Sequence, residues 1–209
     1  MTRALIVVDV QYDFLPGGSL AVADGEAVIP VVIDLINGGG RYELIVATQD
    51  WHPPDHGSFA SVHEGVKPFD IGDLNGLEQV FWPDHCVQGE HGARLHETLL
   101  ETLVSITERG SRTLIIKKGR HQSVDSYSAF FDNAREHDTG LHKALQSYGI
   151  EAVDVVGLAL DYCVKFTALD AASLGYRTRV LLSGTRAVDP AAADAIVVEL
   201  EAAGVMCSR

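Results

Sequence analysis

Three residues suited to covalent and acid–base chemistry each follow an apolar run: Asp9 in "LIVVDV", Lys118 in "LIIKKG" and Cys163 in "VVGLALDYC". A thiolate is a nucleophile, a carboxylate can take the thiol proton, and an ammonium offsets the charge on both. Cys163 opens what reads as a helix, where the dipole and free N–H groups stabilise a thiolate and lower the thiol pKa. The "GLALD" turn before it offers backbone N–H groups for an oxyanion hole. Cys86 and Cys207 lack that setting. Asp9 interrupts an apolar run, so its carboxylate is expected to be buried and to need a cation or donor. Lys118 is the candidate cation, because alternation sends Lys117 to the other side of the strand and Gly119 lets the chain turn.

A second constellation has metal-ligand character. In "DWHPPDH", Asp50 and His52 are two apart and point the same way on an extended chain. Pro53-Pro54 then enforces a turn that can return His56 toward the same point, and His85 in "FWPDHC" can add another imidazole. One carboxylate and three imidazoles suit a divalent zinc, iron or manganese ion with positions left for water or substrate. His63, His91, His96, His121, His137 and His142 have no such companions. Phe14, Trp82 and Tyr127 flank these residues in loops and together can wall a pocket for a flat ring, although each alone reads as core.

The elements that must position these groups are short, continuous, β-branched runs: residues 4–10, 43–48, 113–117, 151–157 and 177–183. Continuous rather than alternating apolar character belongs to parallel strands buried on both faces. Helical patterns separate them, within 24–37, near 94–109, over 138–148, from about Tyr162 to Gly175, and after Asp189-Pro190 as cap and first helical residue. The expectation is an α/β fold: one domain over residues 1–209, a parallel sheet with helices on both faces. The strands' carboxyl ends then share one edge, where ligands bind. Residues 50–93, rich in Trp, His, Pro and Gly, are expected to be a long functional loop that binds metal and covers the site.

Composition narrows the partners. A net charge of −13 over 209 residues argues against nucleic acid or an anionic membrane surface. The three cysteines match no disulfide framework or zinc motif, which fits a reducing, cytoplasmic setting. No apolar stretch is long enough to span a bilayer, and the N-terminal run lacks a signal peptide's features.

The stretches "IVVDVQYDF", "DWHPPDHGSFA", "WPDHCVQG", "KKGRHQSVDSYSAF" and "GLALDYCVKFTALDA" resemble the nicotinamidases, also called pyrazinamidases, among the isochorismatase-like cysteine hydrolases. The resemblance implies hydrolysis of nicotinamide, and of pyrazinamide, to the acid and ammonia through a Cys thioester in NAD salvage. It implies a triad of Asp9, Lys118 and Cys163, metal ligands Asp50, His52, His56 and His85, and substrate walls at Phe14, Trp82 and Tyr127. It places the oxyanion-hole N–H groups on Ala159 and Cys163, with a cis peptide between Leu158 and Ala159. The expected metal is zinc, with iron or manganese as alternatives, and the expected partner is the small-molecule substrate; a homo-oligomer is left open. Leu160 departs from the family's threonine. The alternative function is another cysteine amidohydrolase of the superfamily, acting on carbamoyl or ureido substrates without the metal set.

Overall fold

The computed structural model describes residues 1–38 and 41–209. Six strands form one sheet: β1 (Arg3–Val8), β2 (Leu44–Asp50), β5 (Thr113–Lys118), β6 (Ala152–Leu158), β7 (Arg177–Arg186) and β8 (Met206–Ser208). Their order is β5-β2-β1-β6-β7-β8, and every pairing is parallel. The expected strands are all present, and β8 adds one at the edge.

Alternation along β1 explains the layers. Ala4, Ile6 and Val8 face one side, and Leu5 and Val7 the other, all fully buried. The second side is covered by α1 (Val28–Asn37) and α2 (Glu97–Glu108), which bury Val28, Val32 and Ile36, and Leu99, Leu103 and Ile106. The first side is covered by α3 (Leu141–Ser147), α4 (Lys165–Ser173) and α5 (Ala193–Ala202), through Leu141, Leu145, Ala168, Ala171, Ile196 and Leu200. Asp189 caps as its type suggests, accepting from the Ala191 N–H at 3.0 Å, but the turn it opens is 3-10 over Pro190–Ala192, and α5 follows. No helix among the described residues is long and apolar enough to cross a membrane.

Residues 50–93 are more ordered than a structureless loop. They hold a 3-10 turn at Ala60–Val62 and a hairpin of β3 (Ile71–Leu74) and β4 (Leu77–Val80). The hairpin turns on Asn75 (φ 54°) and Gly76 (φ 84°), the two left-handed residues that a tight two-residue turn requires.

Candidate active site

The carboxyl ends of β1, β2, β5 and β6 converge, and the chain turns sharply at each. β1 stops at Val8, and Asp9 takes a left-handed φ of 48°. β5 stops at Lys118, followed by Gly119 at φ 65°. A Cβ on Gly119 would lie 2.4 Å from the His52 ring, so only glycine fits there. β6 bulges at Gly157, where a Cβ would lie 2.0 Å from the Val8 carbonyl, and the strand therefore presses against β1 just before Asp9. The Leu158–Ala159 peptide is cis, and the chain enters a π-helical turn, Leu160–Val164, that carries Cys163 and runs into α4.

Lys118 is the hub. Its ammonium is completely buried and sits 2.9 Å from Asp9 Oδ2, 2.8 Å from Asp50 Oδ1, 2.9 Å from the Ser126 carbonyl and 3.4 Å from Cys163 Sγ. Lys117 points away and lays its ammonium 3.5 Å from the centre of the Trp51 ring. Asp9 accepts a 2.6 Å hydrogen bond from the Thr48 hydroxyl on Oδ1, while Oδ2 pairs with Lys118 by charge, without an aligned hydrogen bond. One carboxylate oxygen is thus committed, and the other is held beside the thiol and the ammonium.

The electrostatics differ from the expectation of a thiol acidified by a helix end. Burial, joined by the Asp9 and Asp50 carboxylates, pushes the Cys163 thiol well above its ordinary range despite Lys118. The helix-terminus argument is local; desolvation by the surrounding fold outweighs it. Cys163 therefore rests as a thiol and needs a base. Burial also raises Asp9, against the pull of Lys118, and so strengthens it as a proton acceptor. Lys118 loses to burial but gains more from Asp50 and Asp9, so it stays charged. Asp50 is driven the other way: burial would raise it, but Lys118 and then His52 hold it well below the usual carboxylate range.

Asp50, His52 and His85 form one compact donor group. Asp50 Oδ2 lies 3.3 Å from His52 Nε2 and 3.8 Å from His85 Nε2. The Nδ1 atoms of the two rings donate to the Gly119 and Pro83 carbonyls at 2.8 Å each, which aims each Nε2 inward. Burial would lower the His52 imidazole, but the Asp50 carboxylate raises it, so without a cation a proton is favoured there. His52 Nε2 is buried with no hydrogen-bond partner. An orphaned imidazole nitrogen beside an ionised carboxylate fits a cation's donor set. Burial and His52 push the His56 and His85 imidazoles down to about 4, so both are neutral at neutral pH, although the His56 Nε2 is turned to the Val124 carbonyl at 3.3 Å. His56 stands one step aside: its ring centre is 4.2 Å from that of His52, its Nδ1 lies 2.7 Å from Ser58 Oγ, and it groups with His52 and Asp125. His63 contacts the Gly57 carbonyl and joins no donor group found among the described residues.

Phe14, Trp82 and Tyr127 line one cavity together with Asp50, His85, Ala159 and Cys163. Two further wall residues, Tyr162 and Asp125, and one residue that holds the wall from behind, Gln79, were not singled out from sequence. Tyr162 sets its ring edge-on to Trp82 at 4.9 Å, Asp125 lines the cavity beside Tyr127, and Gln79 on β4 donates to Asp125 at 2.9 Å and to the Tyr127 hydroxyl at 3.2 Å. The Asn75-Gly76 pair was the available signal for the hairpin that brings Gln79 there. Leu160 lies with Cys163 and Ile196 in the core, so apolar packing replaces any threonine hydroxyl at that position. A larger cavity of about 510 Å³ between α5 and β7–β8 touches Leu160 but none of the catalytic or metal candidates.

The isochorismatase domain model matches residues 3–209. The nicotinamidase of Escherichia coli (strain K12) is 47% identical over 205 residues, covering 97% of this chain and 92% of that protein. The crystal structure of the yeast nicotinamidase bound to the inhibitor nicotinaldehyde superposes with a TM-score of 0.91 at 36% identity, covering 99% of each chain. The pyrazinamidase of Pyrococcus horikoshii in complex with zinc gives a TM-score of 0.77 at 32% identity, covering 100% of this chain and 99% of that one.

Proposed function

The chain belongs to the isochorismatase domain family, and within it we propose that this protein hydrolyses nicotinamide to nicotinate and ammonia, and pyrazinamide likewise, in NAD salvage. The observation that carries the reading is the Lys118 ammonium, one buried cation in contact with thiol, base and metal-site carboxylate at once. The catalytic unit is residues 1–209 as one domain, with 50–93 supplying metal ligands and the cover of the pocket. The three free cysteines fit a reducing cytoplasm.

The chemistry proceeds by covalent catalysis. Phe14, Trp82 and Tyr127 hold the aromatic ring and exclude water. Asp9 takes the Cys163 proton through its uncommitted oxygen, and Lys118 offsets the charge left on sulfur. The thiolate adds to the carboxamide carbon, and the backbone N–H groups of Ala159 and Cys163 receive the developing oxyanion. The carbon–nitrogen bond breaks, Asp9 returns the proton to the departing ammonia, and a thioester remains on Cys163. Asp9 then deprotonates water, which adds to the thioester and releases nicotinate with the thiol restored. A base that serves twice needs a pKa between those of its two tasks, and the upward shift of Asp9 moves it that way. Asp50, His52 and His85, with His56 beside them, would hold one divalent ion, zinc by likeness to the Pyrococcus horikoshii enzyme with iron or manganese as alternatives, and the ion would supply a Lewis-acid anchor for the ring nitrogen.

Ammonia release from nicotinamide and benzamide, with and without chelator, tests the reading. Benzamide keeps the shape and the scissile bond but lacks the ring nitrogen, and a site built around a polar group rejects the analogue without it, often by about 10⁴-fold. The expected outcome is rapid nicotinamide turnover, a very poor rate on benzamide, and loss of activity in chelator that added zinc restores. No ammonia from nicotinamide would overturn the reading, and equal kcat/KM for the two amides would show that no metal positions the ring.

A further inference from the structure

β1 and β2 pair side by side from Ala4 opposite Leu44 to Val7 opposite Ala47. The left-handed Asp9 then swings β1 out of the ladder, yet β2 continues to Asp50. The Asp50 peptide has therefore lost its strand neighbour on that side, and a side chain takes the vacant place. The Asp50 N–H donates to Gln11 Oε1 at 2.8 Å, and Gln11 Nε2 donates to the Asp50 carbonyl at 2.9 Å. A primary amide carries the same donor and acceptor as a peptide, so the ladder extends one residue further through Gln11. The second Nε2 hydrogen goes to the Ala93 carbonyl at 2.8 Å, so both donors of this fully buried amide are used.

We propose that Gln11 is the positioning residue for Asp50 and thereby sets the affinity of the metal site. This rests on the metal reading above. Asp50 divides its carboxylate between Lys118 on Oδ1 and the His52 and His85 imidazoles on Oδ2. A side chain that must serve both directions tolerates little rotation of the backbone that bears it, and Gln11 grips that backbone on both sides of the Asp50 Cα, at the N–H of one peptide and the carbonyl of the next. Gln11 touches no reacting atom; it acts through Asp50. One kink thus delivers the base, Asp9, and two residues later the clamp. Gln49 offers an internal contrast: it is also a buried glutamine and also donates to the Ala93 carbonyl, at 2.6 Å, but it grips nothing on the Asp50 peptide.

The test is zinc affinity of the metal-stripped protein, measured by competition with a chromophoric chelator, for wild type, Gln11→Ala, Gln11→Glu and Gln49→Ala. Removing a group that orients a metal ligand typically costs about 10- to 100-fold in affinity, and that loss is expected for Gln11→Ala. Gln11→Glu keeps an acceptor for the Asp50 N–H but loses both donors, and is expected to fall at least as far. Gln49→Ala is expected to bind zinc as wild type does. Gln11→Ala binding zinc as tightly as wild type, or Gln49→Ala losing as much as Gln11→Ala, would overturn the proposal. Amide hydrogen exchange on the metal-free wild-type protein gives an arm that needs neither zinc nor a folded variant. The Asp50 amide should be protected like those inside β2, and exchange as fast as at an open strand end would overturn the clamp. A wild-type protein that binds no zinc would instead refute the metal reading, and the exchange result would still decide the clamp.

Discussion

Asp9 and Asp154 are both completely buried, one just past the carboxyl end of β1 and the other near the amino end of β6, and both sit beside cations. Their surroundings are opposite in kind. Asp154 accepts from Arg3 at 2.5 Å and Arg179 Nε at 3.0 Å on one oxygen, and from Arg179 Nη2 at 2.6 Å and the Tyr42 hydroxyl at 2.9 Å on the other. Both oxygens are saturated with aligned donors, and the two arginine side chains keep 24% and 29% of their surface in water. Asp9 has one hydroxyl donor and one unaligned ammonium that is wholly buried. Full satisfaction marks a carboxylate that ties strands together. A carboxylate oxygen held near a cation and a thiol without a settled hydrogen bond marks one that can still move a proton.

The comparison breaks most sharply under Cys163→Ala. The variant removes the thiol that the free oxygen of Asp9 serves, and activity on nicotinamide is expected to fall by at least about 10⁴-fold, as nucleophile deletions do. The fold should persist, because the residue contributes one small side chain to a large apolar cluster. Acid-quenched turnover should show an acyl adduct on Cys163 in the wild type and none on Cys86 or Cys207. An active Cys163→Ala protein would mean that the carboxyl-end cluster is not reserved for covalent chemistry.

Asp154→Asn should do the reverse. It leaves two guanidinium groups without their shared anion, and breaking a buried pair costs several kcal/mol; because both arginine heads reach water, about 3 kcal/mol is expected here. For a chain of this size that lowers Tm by roughly 6–12 °C. The kcat/KM of the folded protein should be unchanged, since no Asp154 contact reaches the catalytic end of the sheet. A large activity loss without a drop in Tm would erase the contrast between the two ends.

How much of this was legible in sequence follows from the range of the interactions. Continuous β-branched runs fix strands, and a polar residue at the end of a run fixes which side chains meet at one edge; Asp9, Asp50, Lys118 and Cys163 are found that way. The hairpin at 71–80 escaped because each strand has four residues, too few for a periodic pattern to stand out, although Asn75-Gly76 was there to be read. Gln11, Gln79 and Asp125 escaped for another reason. Each acts through hydrogen bonds to segments about 40 or more residues away, such as Gln11 to Asp50 and Ala93 and Gln79 to Asp125, and no local pattern encodes such a partner. The acidity assigned to Cys163 failed for the same cause, since burial is a property of the assembled fold and not of the helix end. Asp154 sat in plain view in "EAVDVVG", but its partners come from β1, β7 and the turn before β2.

The smallest effect belongs to Tyr42, which completes the Asp154 shell. Burial first, and then the Asp154 carboxylate that accepts its hydrogen bond, push the Tyr42 hydroxyl up to about 12 from an ordinary 10. The native state therefore keeps a proton that the unfolded chain releases near pH 10. The stabilisation from this group is fully present below pH 10 and is lost as pH rises from there through about 12. Tyr42 is only half-buried, so solvent screening limits the effect to below about 1 kcal/mol. Other tyrosines and the cysteines also titrate in this range, so the informative quantity is a difference. The stability of wild type relative to Tyr42→Phe should be largest below pH 10 and should shrink toward pH 12. The same comparison made in an Asp154→Asn background should show a smaller rise of Tyr42, because the share due to the carboxylate is gone while burial, the larger cause, remains. A wild-type Tyr42 that titrates near 10, followed by its ring carbon resonance, would mean that the amino-end cluster does not hold its donor against solvent, and the distinction between a saturated and a reserved carboxylate would lose its structural half.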